Sequence, residues 1–387
     1  MKKIIAACLI WLLNGSVFGQ TLSSDATISV ITCGPYQGEL YSAFGHSAFR
    51  VVDPEQNIDA VFNYGVFDFD QPHFYLNFAR GYLNYKLAAY DYQHFESSYI
   101  YHNRFIHAQV LNLTAEQRQK LFEYLRWNMQ PGNENYRYDY FYNNCATKIR
   151  DVVVTALGKE VTFDGSYVKT DYTIRDLTDI YLKHQPWGDL GIDICLGLPM
   201  DKKASPFEYM FLPDYIESGF DHATILQNGV GVPLVKEKYS VYDARAEEAP
   251  TGLPHPLYVF SAFALFCIGI TVWDFKRKKI STPLDAVLFT VTGLLGLLLF
   301  FLWFFTDHAA AAENFNLLWA MPTNAFAALA LMRRLPWLRI YFLCIAILSA
   351  ITLVVWPILP QQLNCALIPI VVAILVRSFA EYRLWKK

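Results

Sequence analysis

Hydrophobic residues are distributed unevenly along the 387-residue chain. Residues 20–250 alternate short apolar segments with polar and charged ones, whereas residues 256–387 contain long, nearly uninterrupted apolar runs. A helix needs about 17 to 25 mostly apolar residues to cross a bilayer. The pattern therefore predicts a globular domain at 20–250, followed by a membrane domain at 251–387.

The membrane domain is predicted to be an all-α bundle of about five transmembrane helices. The candidate spans are 257–273, 284–305, 315–332, 340–356 and 363–376. Lys and Arg residues follow the first, third and fifth spans, and the two intervening loops contain none. Because such residues concentrate in cytoplasmic loops, we expect the globular domain outside the membrane and the C-terminus in the cytoplasm.

The N-terminus resembles a secretory signal. Lys2 and Lys3 precede a short apolar core, and Gly19 ends a plausible cleavage site. This arrangement predicts a signal peptide at 1–19, with an uncleaved anchor as the alternative. In both cases the residues that follow are exported.

The globular domain has a mixed α and β pattern. β-branched and apolar runs bounded by Gly, Pro and Asp predict strands at 26–32, 48–52 and 58–69. The charged stretch 235–254 is predicted to be a polar linker to the membrane domain.

Two helices begin at strong N-cap signals. A capping box at 114–117 predicts a helix to residue 129, and Asn144 precedes a helical apolar pattern from Cys145 to Leu157. Cys145 should therefore lie in a first helical turn, where backbone N–H groups and the helix dipole lower a thiol pKa. A cysteine at a helix start is more often simply buried, so a nucleophile needs a partner base.

His46 is the candidate base. It follows Gly45 at the start of a predicted strand, and a glycine there permits close approach of another segment. A strand-borne histidine and a helix-start cysteine are the two halves of a papain-like site. Asn63 is expected to orient the imidazole, with Asp59 and Tyr64 as alternatives.

Composition narrows the function classes. A net charge of −3 argues against a nucleic-acid partner, and metal-ligand spacings such as Cys-x-x-Cys are absent, so no cofactor is expected. The exported part contains Cys33, Cys145 and Cys195, an odd number that leaves one thiol free. A disulfide between Cys33 and Cys195 would fit, but spacing alone does not establish it.

Seven motifs together resemble the Lnb family of lipoprotein N-acyltransferases. They are TCGP (32–35), ELYSAFGHS (39–47), VFNYG (61–65), NLTAEQ (112–117), NCATKIRD (144–151), FTDH (305–308) and NFNLLW (314–319). The order of histidine before cysteine also resembles circularly permuted NlpC-type and lecithin:retinol acyltransferase-like folds. The resemblance implies an α+β, permuted papain-like periplasmic domain followed by the membrane bundle, in a multi-pass inner-membrane protein.

The same resemblance implies a reaction. An acyl chain would pass from a phospholipid to a Cys145 thioester, and then to the N-terminal amine of a diacylated lipoprotein, with His46 as the base. The alternatives are a papain-like amidase or peptidase of the cell envelope, and a non-catalytic membrane receptor with a degenerate domain.

The remaining candidate residues have supporting roles. Three residues around the nucleophile are expected to support the oxyanion or the helix: Asn144, Arg150 and Asp151. For Arg150 and Asp151 a structural ion pair is favoured over phosphate binding. Substrate binding is expected, against a structural or interfacial role, for Ser42, Tyr64, His308 and Asn314.

Overall fold

The computed structural model describes residues 20–67, 71–245, 252–331, 333 and 335–385. The predicted signal peptide, 1–19, lies outside these residues. So do residues 68–69 of the strand predicted at 58–69, residues 246–251 of the predicted linker and residue 332, the predicted end of the third membrane span.

A seven-stranded antiparallel sheet organises the N-terminal domain. Its strand order is β10-β5-β1-β2-β3-β4-β6, and a smaller sheet has the order β7-β8-β9. The strands are β1 (Thr27–Cys33), β2 (His46–Asp53), β3 (Ile58–Val66), β4 (Asn84–Asp91), β5 (Ile106–Leu111), β6 (Asn135–Arg137), β7 (Val161–Phe163), β8 (Ala223–Gln227), β9 (Val230–Pro233) and β10 (Val235–Tyr242). The three strands predicted first, β1 to β3, are confirmed as successive antiparallel neighbours.

Helices cover both faces of the large sheet. They are α1 (Phe74–Arg80), α2 (Tyr92–Tyr101), α3 (Ala115–Asn128), α4 (Cys145–Leu157), α5 (Ile174–Leu182), α6 (Pro186–Cys195), α7 (Pro206–Tyr209) and α8 (Pro213–Asp221). Helices α3, α4 and α8 share the main hydrophobic core with one face, and α2 packs on the other. Strand β1 is central and covered on both sides, so six of its seven residues are buried in succession.

The capping predictions for α3 and α4 are confirmed. Each helix starts after a complete capping box, formed by Thr114 with Gln117 and by Asn144 with Thr147. These reciprocal hydrogen bonds satisfy backbone N–H groups that a helix start would otherwise leave unpaired.

The predicted linker is wrong over its first half. Residues Val235–Tyr242 form β10, which pairs with β5 at the edge of the large sheet. Five consecutive residues of this strand are exposed, so it lacks the apolar alternation by which strands are recognised. Charged side chains on an edge strand also discourage pairing with another chain.

Four helices of the C-terminal region, within the residues described, are long and apolar enough to cross a membrane: Pro256–Arg277, Thr282–Phe305, Leu338–Ile358 and Cys365–Leu384. The α-helices here are α9 (Pro256–Arg277), α10 (Thr282–Phe305), α11 (Thr323–Leu331), α12 (Leu338–Val355) and α13 (Ile368–Leu384). The predicted third span differs. Its residues form a 3-10 turn, Phe315–Leu318, and then the short helix α11, because Pro322 and buried asparagines interrupt the apolar run.

The last span is also longer than predicted. Helix α13 continues past residue 376 to Leu384 and contains Arg377. The predicted span 363–376 would place Arg377 in the cytoplasmic segment after it. The Arg377 side chain is buried, and its guanidinium donates to Asp285 at 2.6 and 2.8 Å and to Asp274 at 2.9 Å. Pairing with two carboxylates is what allows an arginine to lie within a bundle.

The N-terminal domain rests directly on the membrane bundle. Leu190 of α6 belongs to the hydrophobic cluster that the bundle helices form. Backbone and side-chain hydrogen bonds also cross the boundary, for example from Gly197 N–H to Ala310 O at 2.7 Å and from Gln361 Nε2 to Leu196 O at 2.8 Å. We call this boundary the junction.

Candidate active site

Cys145 is the first residue of α4. Asn144 is the N-cap: its Oδ1 accepts from Thr147 N–H at 2.9 Å, and Thr147 Oγ1 accepts from Asn144 N–H at 2.8 Å. The Asn144 amide also donates to the carbonyls of Tyr140 and Phe211, at 2.9 and 2.8 Å. Asn144 therefore fixes both the helix start and the loop before it, and this holds the thiol in place.

His46 is the first residue of β2. The preceding Gly45 has a φ of +84°, and a Cβ there would lie 2.8 Å from the carbonyl oxygen of Cys33. Only glycine fits here, and the predicted close approach of another segment is made by the β1 backbone. The imidazole Nε2 lies 2.5 Å from Asn63 Oδ1. Because an amide oxygen only accepts, Nε2 carries the proton and Nδ1 keeps its lone pair.

The thiol lies between the start of β2 and the end of β3. The backbone N–H of Ser47 lies near the sulfur of Cys145 and acts to lower the pKa of the thiol. On the other side, a Cβ on Gly65 would lie 3.4 Å from the Cβ of Cys145. His46 and Asn63 belong to the same two strand ends, so the structure brings the three predicted catalytic residues together at one end of the sheet.

Burial controls both pKa values at this site. It raises the pKa of the Cys145 thiol to about 11, although the N–H groups of Ser47, Ala146 and Cys145 itself act in the opposite direction. Burial likewise lowers the pKa of His46 to about 4. The expected lowering of the thiol pKa is therefore wrong, since desolvation outweighs the helix start. At pH 7 the pair consists of a neutral thiol and a neutral imidazole.

A cavity of about 350 Å³ adjoins the site. It is lined by residues of the first loop, β3, β4, α2 and the segment after α2: Tyr36, Glu39, Tyr41, Ser42, Asn63, Tyr90, His94, Phe95, Ser98, Tyr99, His102 and Arg104. Asn63 belongs to both the cavity wall and the His46 pair, so a molecule in the cavity lies beside the catalytic residues. We call this space the donor cavity.

Ser42 lines the donor cavity, as a substrate-binding residue should. Its hydroxyl, however, donates to the carbonyls of Tyr36 and Glu39, at 3.2 and 3.1 Å. These bonds hold the loop in a tight turn, so Ser42 shapes the cavity wall through the backbone.

Two alternatives for the third catalytic residue are placed elsewhere. Tyr64 is buried in the main core and donates its hydroxyl to Asn128 Oδ1 at 2.6 Å. Asp59 forms a two-point ion pair with Arg50, at 2.8 Å for both contacts. The predicted substrate-binding role of Tyr64 is therefore corrected, because its alternation along β3 points it to the opposite face from Asn63.

Arg150 and Asp151 form an ion pair with a 2.7 Å contact. Arg150 also donates to the carbonyl of Phe207 at 2.6 Å, and its guanidinium lies 3.4 Å from the centre of that ring. These contacts attach α4 to α7, in agreement with the structural interpretation of the pair.

His308 and Asn314 lie at the junction. His308 Nε2 is 3.1 Å from the carbonyl oxygen of Phe78, and Asn314 donates to the carbonyl of Ile194 at 2.8 Å. Asn314 also accepts from Asn316 N–H at 2.9 Å and is buried. These hydrogen bonds join the N-terminal domain to the bundle, and the substrate-binding role of both residues stays a prediction.

Three carboxylates of the described residues approach one another closely enough to hold a cation. Asp179, Asp189 and Asp193 each have an oxygen within 4.8 Å of the others. Arg175 already pairs with Asp193 at 2.7 Å, and Asn364 donates to Asp193 at 2.9 Å. Burial and the neighbouring carboxylates raise the pKa of Asp179 to about 8 and that of Asp189 to about 6, so protons neutralise part of this cluster near neutral pH.

The cysteines are all free in the described part of the chain. Cys33, Cys145 and Cys195 form no disulfide, so the pairing of Cys33 with Cys195 is not present. Cys33 is buried next to His46, its partner in the β1–β2 register.

Comparison with known families gives two matches. Residues 18–179 match the Lnb N-terminal periplasmic domain, and residues 248–387 match the Lnb transmembrane domain. The chain belongs to the Lnb family. No curated protein and no solved structure matches it significantly.

Membership of the Lnb family indicates the cellular location of the protein and its class of activity. Lnb proteins are membrane lipoprotein N-acyltransferases, so this chain is a multi-pass inner-membrane protein with a periplasmic N-terminal domain. The periplasmic domain combines α-helices with β-sheets, and the membrane region is helical, with four candidate spans among the described residues.

The sequence did not indicate two features of the site. The backbone N–H of Ser47 lies near the thiol because of its position in β2. Its side chain has no part in this, so the residue type at position 47 does not predict the contact. Arg104 lines the donor cavity from the segment after α2, and only the fold brings it near Asn63.

Proposed function

We propose that this Lnb protein moves an acyl chain from a phospholipid, through a Cys145 thioester, to the N-terminal amine of a diacylated lipoprotein. The observation that carries the proposal is the convergence of the Cys145 thiol, the His46–Asn63 pair and the Ser47 N–H at one end of the sheet. This is the set of groups that thiol acyl transfer needs: a nucleophile, an oriented base and an oxyanion donor.

The first half-reaction forms the thioester. Nδ1 of His46 accepts the thiol proton as the sulfur attacks the ester carbonyl of the phospholipid, since Asn63 already occupies Nε2. The N–H groups of Ser47 and Cys145 stabilise the tetrahedral oxyanion. The carbon–oxygen bond then breaks, the imidazolium protonates the glycerol alkoxide, and lysophospholipid leaves.

The second half-reaction transfers the chain to the acceptor. The neutral α-amine attacks the thioester carbonyl while His46 Nδ1 accepts its proton. The carbon–sulfur bond breaks, the thiolate recovers the proton, and the amide product departs. Lowering the pKa of His46 to about 4 keeps the imidazole neutral at pH 7 and makes its conjugate acid a strong proton donor to the leaving alkoxide, while it weakens the imidazole as a base.

Helix α1 places an apolar surface next to the membrane domain. Tyr75, Leu76 and Phe78 are exposed large hydrophobic residues on this helix. The helix is held to the outer loop of the bundle by the Asp307 N–H, which donates to Arg80 O at 2.9 Å, and by His308. Such a surface suits contact with lipid chains near the bilayer and supports a lipid substrate.

The topology completes the proposal. Lys and Arg still concentrate in the segments after α9 and before α12, so we place both segments in the cytoplasm. This requires a fifth crossing between α10 and α12, made by the 3-10 turn Phe315–Leu318 and the short helix α11, and it leaves the C-terminus in the cytoplasm. We also propose that residues 1–19 are a signal peptide and that the domain is a permuted papain-like one. The base in β2 precedes the nucleophile in α4 along the chain, yet both lie at the same end of the sheet.

Intact mass spectrometry tests this function. A diacylated lipopeptide is incubated with phospholipid vesicles and purified protein, as wild type, Cys145→Ser and His46→Ala, with Cys195→Ser as a matched thiol control. We expect the lipopeptide to gain one acyl chain on its amine with wild type and control only. Lysophospholipid release with an unchanged lipopeptide would indicate a phospholipase, and no change in either lipid would overturn the proposal.

A further inference from the structure

Arg104 presents an unused charged donor inside the donor cavity. Its Nε donates to the carbonyl of Gly34 at 2.7 Å, and its guanidinium lies 4.5 Å from the ring centre of Tyr99. Its Nη2 is buried and has no hydrogen-bond partner among the residues that the structure describes. Buried guanidinium N–H groups are costly to leave unpaired, so this one suits a ligand that supplies an acceptor.

The rest of the cavity wall favours an anionic ligand. His94, His102 and Ser98 add polar groups able to donate hydrogen bonds. Glu39 is the acidic residue of the lining, and it accepts a hydrogen bond from the Tyr41 hydroxyl. Because Arg104 is the permanent cation there, an oxyanion is the ligand that its free N–H would bind best.

Arg104 is also close enough to affect the catalytic pair. Its charge contributes to lowering the pKa values of both Cys145 and His46, although burial is the larger cause of the shift at each. An anion held by Arg104 is therefore near the reacting atoms. In a phospholipid the phosphate and the acyl ester carbonyl are separated by only a few bonds of the glycerol unit, so binding one positions the other.

Exposed large hydrophobic residues belong to the cavity lining or neighbour it along the chain, and we call them the rim. Tyr41 and Tyr90 are in the lining, and Leu40, Ile100 and Tyr101 are next to lining residues in the sequence. The Leu40 side chain packs against Gly188 of α6, where a Cβ would lie 2.8 Å from it. The neighbouring Trp187 packs on Phe260 of α9, with ring centres 5.6 Å apart. A lipid headgroup can thus lie in the cavity while its chains contact an apolar rim beside the bundle.

We propose that Arg104 binds the phosphodiester of the donor phospholipid and so selects phosphate-bearing esters as acyl donors. This inference rests on the proposed acyl transfer. It names the donor recognised at that site and the residue that recognises it.

The test compares two donors that differ in the phosphate. Acyl transfer to the lipopeptide is measured from a diacylphospholipid and from diacylglycerol with the same chains, using wild type, Arg104→Gln and Arg104→Lys. Arg118→Gln is the matched control, because Arg118 also bonds backbone carbonyls and has a buried unpaired N–H, but lies outside the cavity lining.

We expect Arg104→Gln to lower kcat/KM for the phospholipid about 10- to 100-fold more than it lowers kcat/KM for the diacylglycerol, mainly through KM. Arg104→Lys should recover part of the loss. An equal fall with both donors would show that Arg104 acts on the thiol or the fold, and no fall with either would also overturn the inference.

A binding measurement separates this inference from the proposed function. Two proteins are compared, Cys145→Ser and the double variant Cys145→Ser with Arg104→Gln. For each protein, Kd is measured for a dihexanoyl phospholipid and for dihexanoylglycerol. We expect Arg104→Gln to raise Kd for the phospholipid by about tenfold or more and to leave Kd for dihexanoylglycerol unchanged. If the proposed transfer failed, this contrast would still appear; an unchanged phospholipid Kd would contradict the role of Arg104 even in an active enzyme.

Discussion

The donor cavity and the junction are both rich in polar side chains, but they use them differently. At the junction, Asn314 donates to two backbone carbonyls and accepts from a backbone N–H, while Arg175 contacts two carboxylates and three backbone carbonyls. At the active site, Asn63 occupies one nitrogen of His46 and leaves the other available, and Nη2 of Arg104 is unpaired.

This contrast separates structural from chemical roles better than residue type does. A buried polar group whose hydrogen bonds are all made within the protein stabilises the fold and has little left for a substrate. A buried polar group with unused capacity beside a cavity is poised to bind. Residue type and position predict substrate binding for both His308 and Asn314, but the buried Asn314 uses its amide within the junction, whereas His308 has a contact at one ring nitrogen.

The largest expected effect is on catalysis at His46. His46→Ala should lower acyl transfer by about 10²- to 10⁴-fold, because it removes the general base, while the melting temperature changes little. The measurement is initial rate with the lipopeptide acceptor, together with thermal unfolding. A variant that keeps more than about a tenth of the wild-type rate would break the contrast between the two regions.

Substitution of Arg175 should lower stability rather than catalytic rate. This residue is fully buried and pairs with Asp193 at 2.7 Å and with Asp201 at 2.9 Å, beneath the loop that receives the bundle. Arg175→Leu leaves two carboxylates without their cation and should lower the free energy of unfolding by about 3–5 kcal/mol. Denaturant unfolding in detergent measures this loss, and Arg104→Gln serves as the comparison. Equal destabilisation by the two variants would remove the distinction drawn here.

Asn314→Ala should also lower stability, but by less than Arg175→Leu. It leaves the Asn316 N–H without its partner and removes one of the two side-chain donors to the Ile194 carbonyl, so it should cost about 1–3 kcal/mol of stability. The transfer rate per folded molecule should stay within about twofold of wild type. A selective rise in KM for the lipopeptide, with stability unchanged, would instead restore the substrate-binding role that the sequence suggested.

The mildest test uses pH. Since the pKa of Cys145 is raised to about 11, its alkylation by iodoacetamide should increase steadily from pH 6 to 9, without a plateau at neutral pH. Since the pKa of His46 is lowered to about 4, the base is neutral above about pH 5, and thioester formation in the absence of acceptor should show no acid limb near pH 6.5. Peptide mapping of the alkylated thiol and a pH–rate profile supply the two readouts. A neutral-pH alkylation plateau would reveal a thiolate–imidazolium pair.

The sequence predicted those parts of the molecule that local patterns control. The capping boxes at Thr114 and Asn144, the helix from Cys145 to Leu157 and the glycine turn before His46 all follow from short-range signals. Periodicity also located four of the five predicted spans in helices long enough to cross a membrane.

The remaining features depend on tertiary packing. Strand β10 has exposed polar residues and gives no alternating pattern, and the third predicted span is divided by the 3-10 turn before α11. The raised thiol pKa follows from how deeply the fold buries Cys145. Arg104 meets the site only when α2 packs across the sheet, so no spacing in the chain could indicate it.

The covalent intermediate is the central claim, and its direct detection tests it best. Purified wild-type protein is incubated with phospholipid in the absence of acceptor, and its intact mass and Cys145 peptide are measured, with Cys145→Ala as the control. We predict a gain of one acyl chain on the Cys145 peptide, removed by hydroxylamine and lost on adding lipopeptide. Acyl transfer to lipopeptide by wild type, with no acyl-enzyme at any time and full activity in Cys145→Ala, would contradict the account.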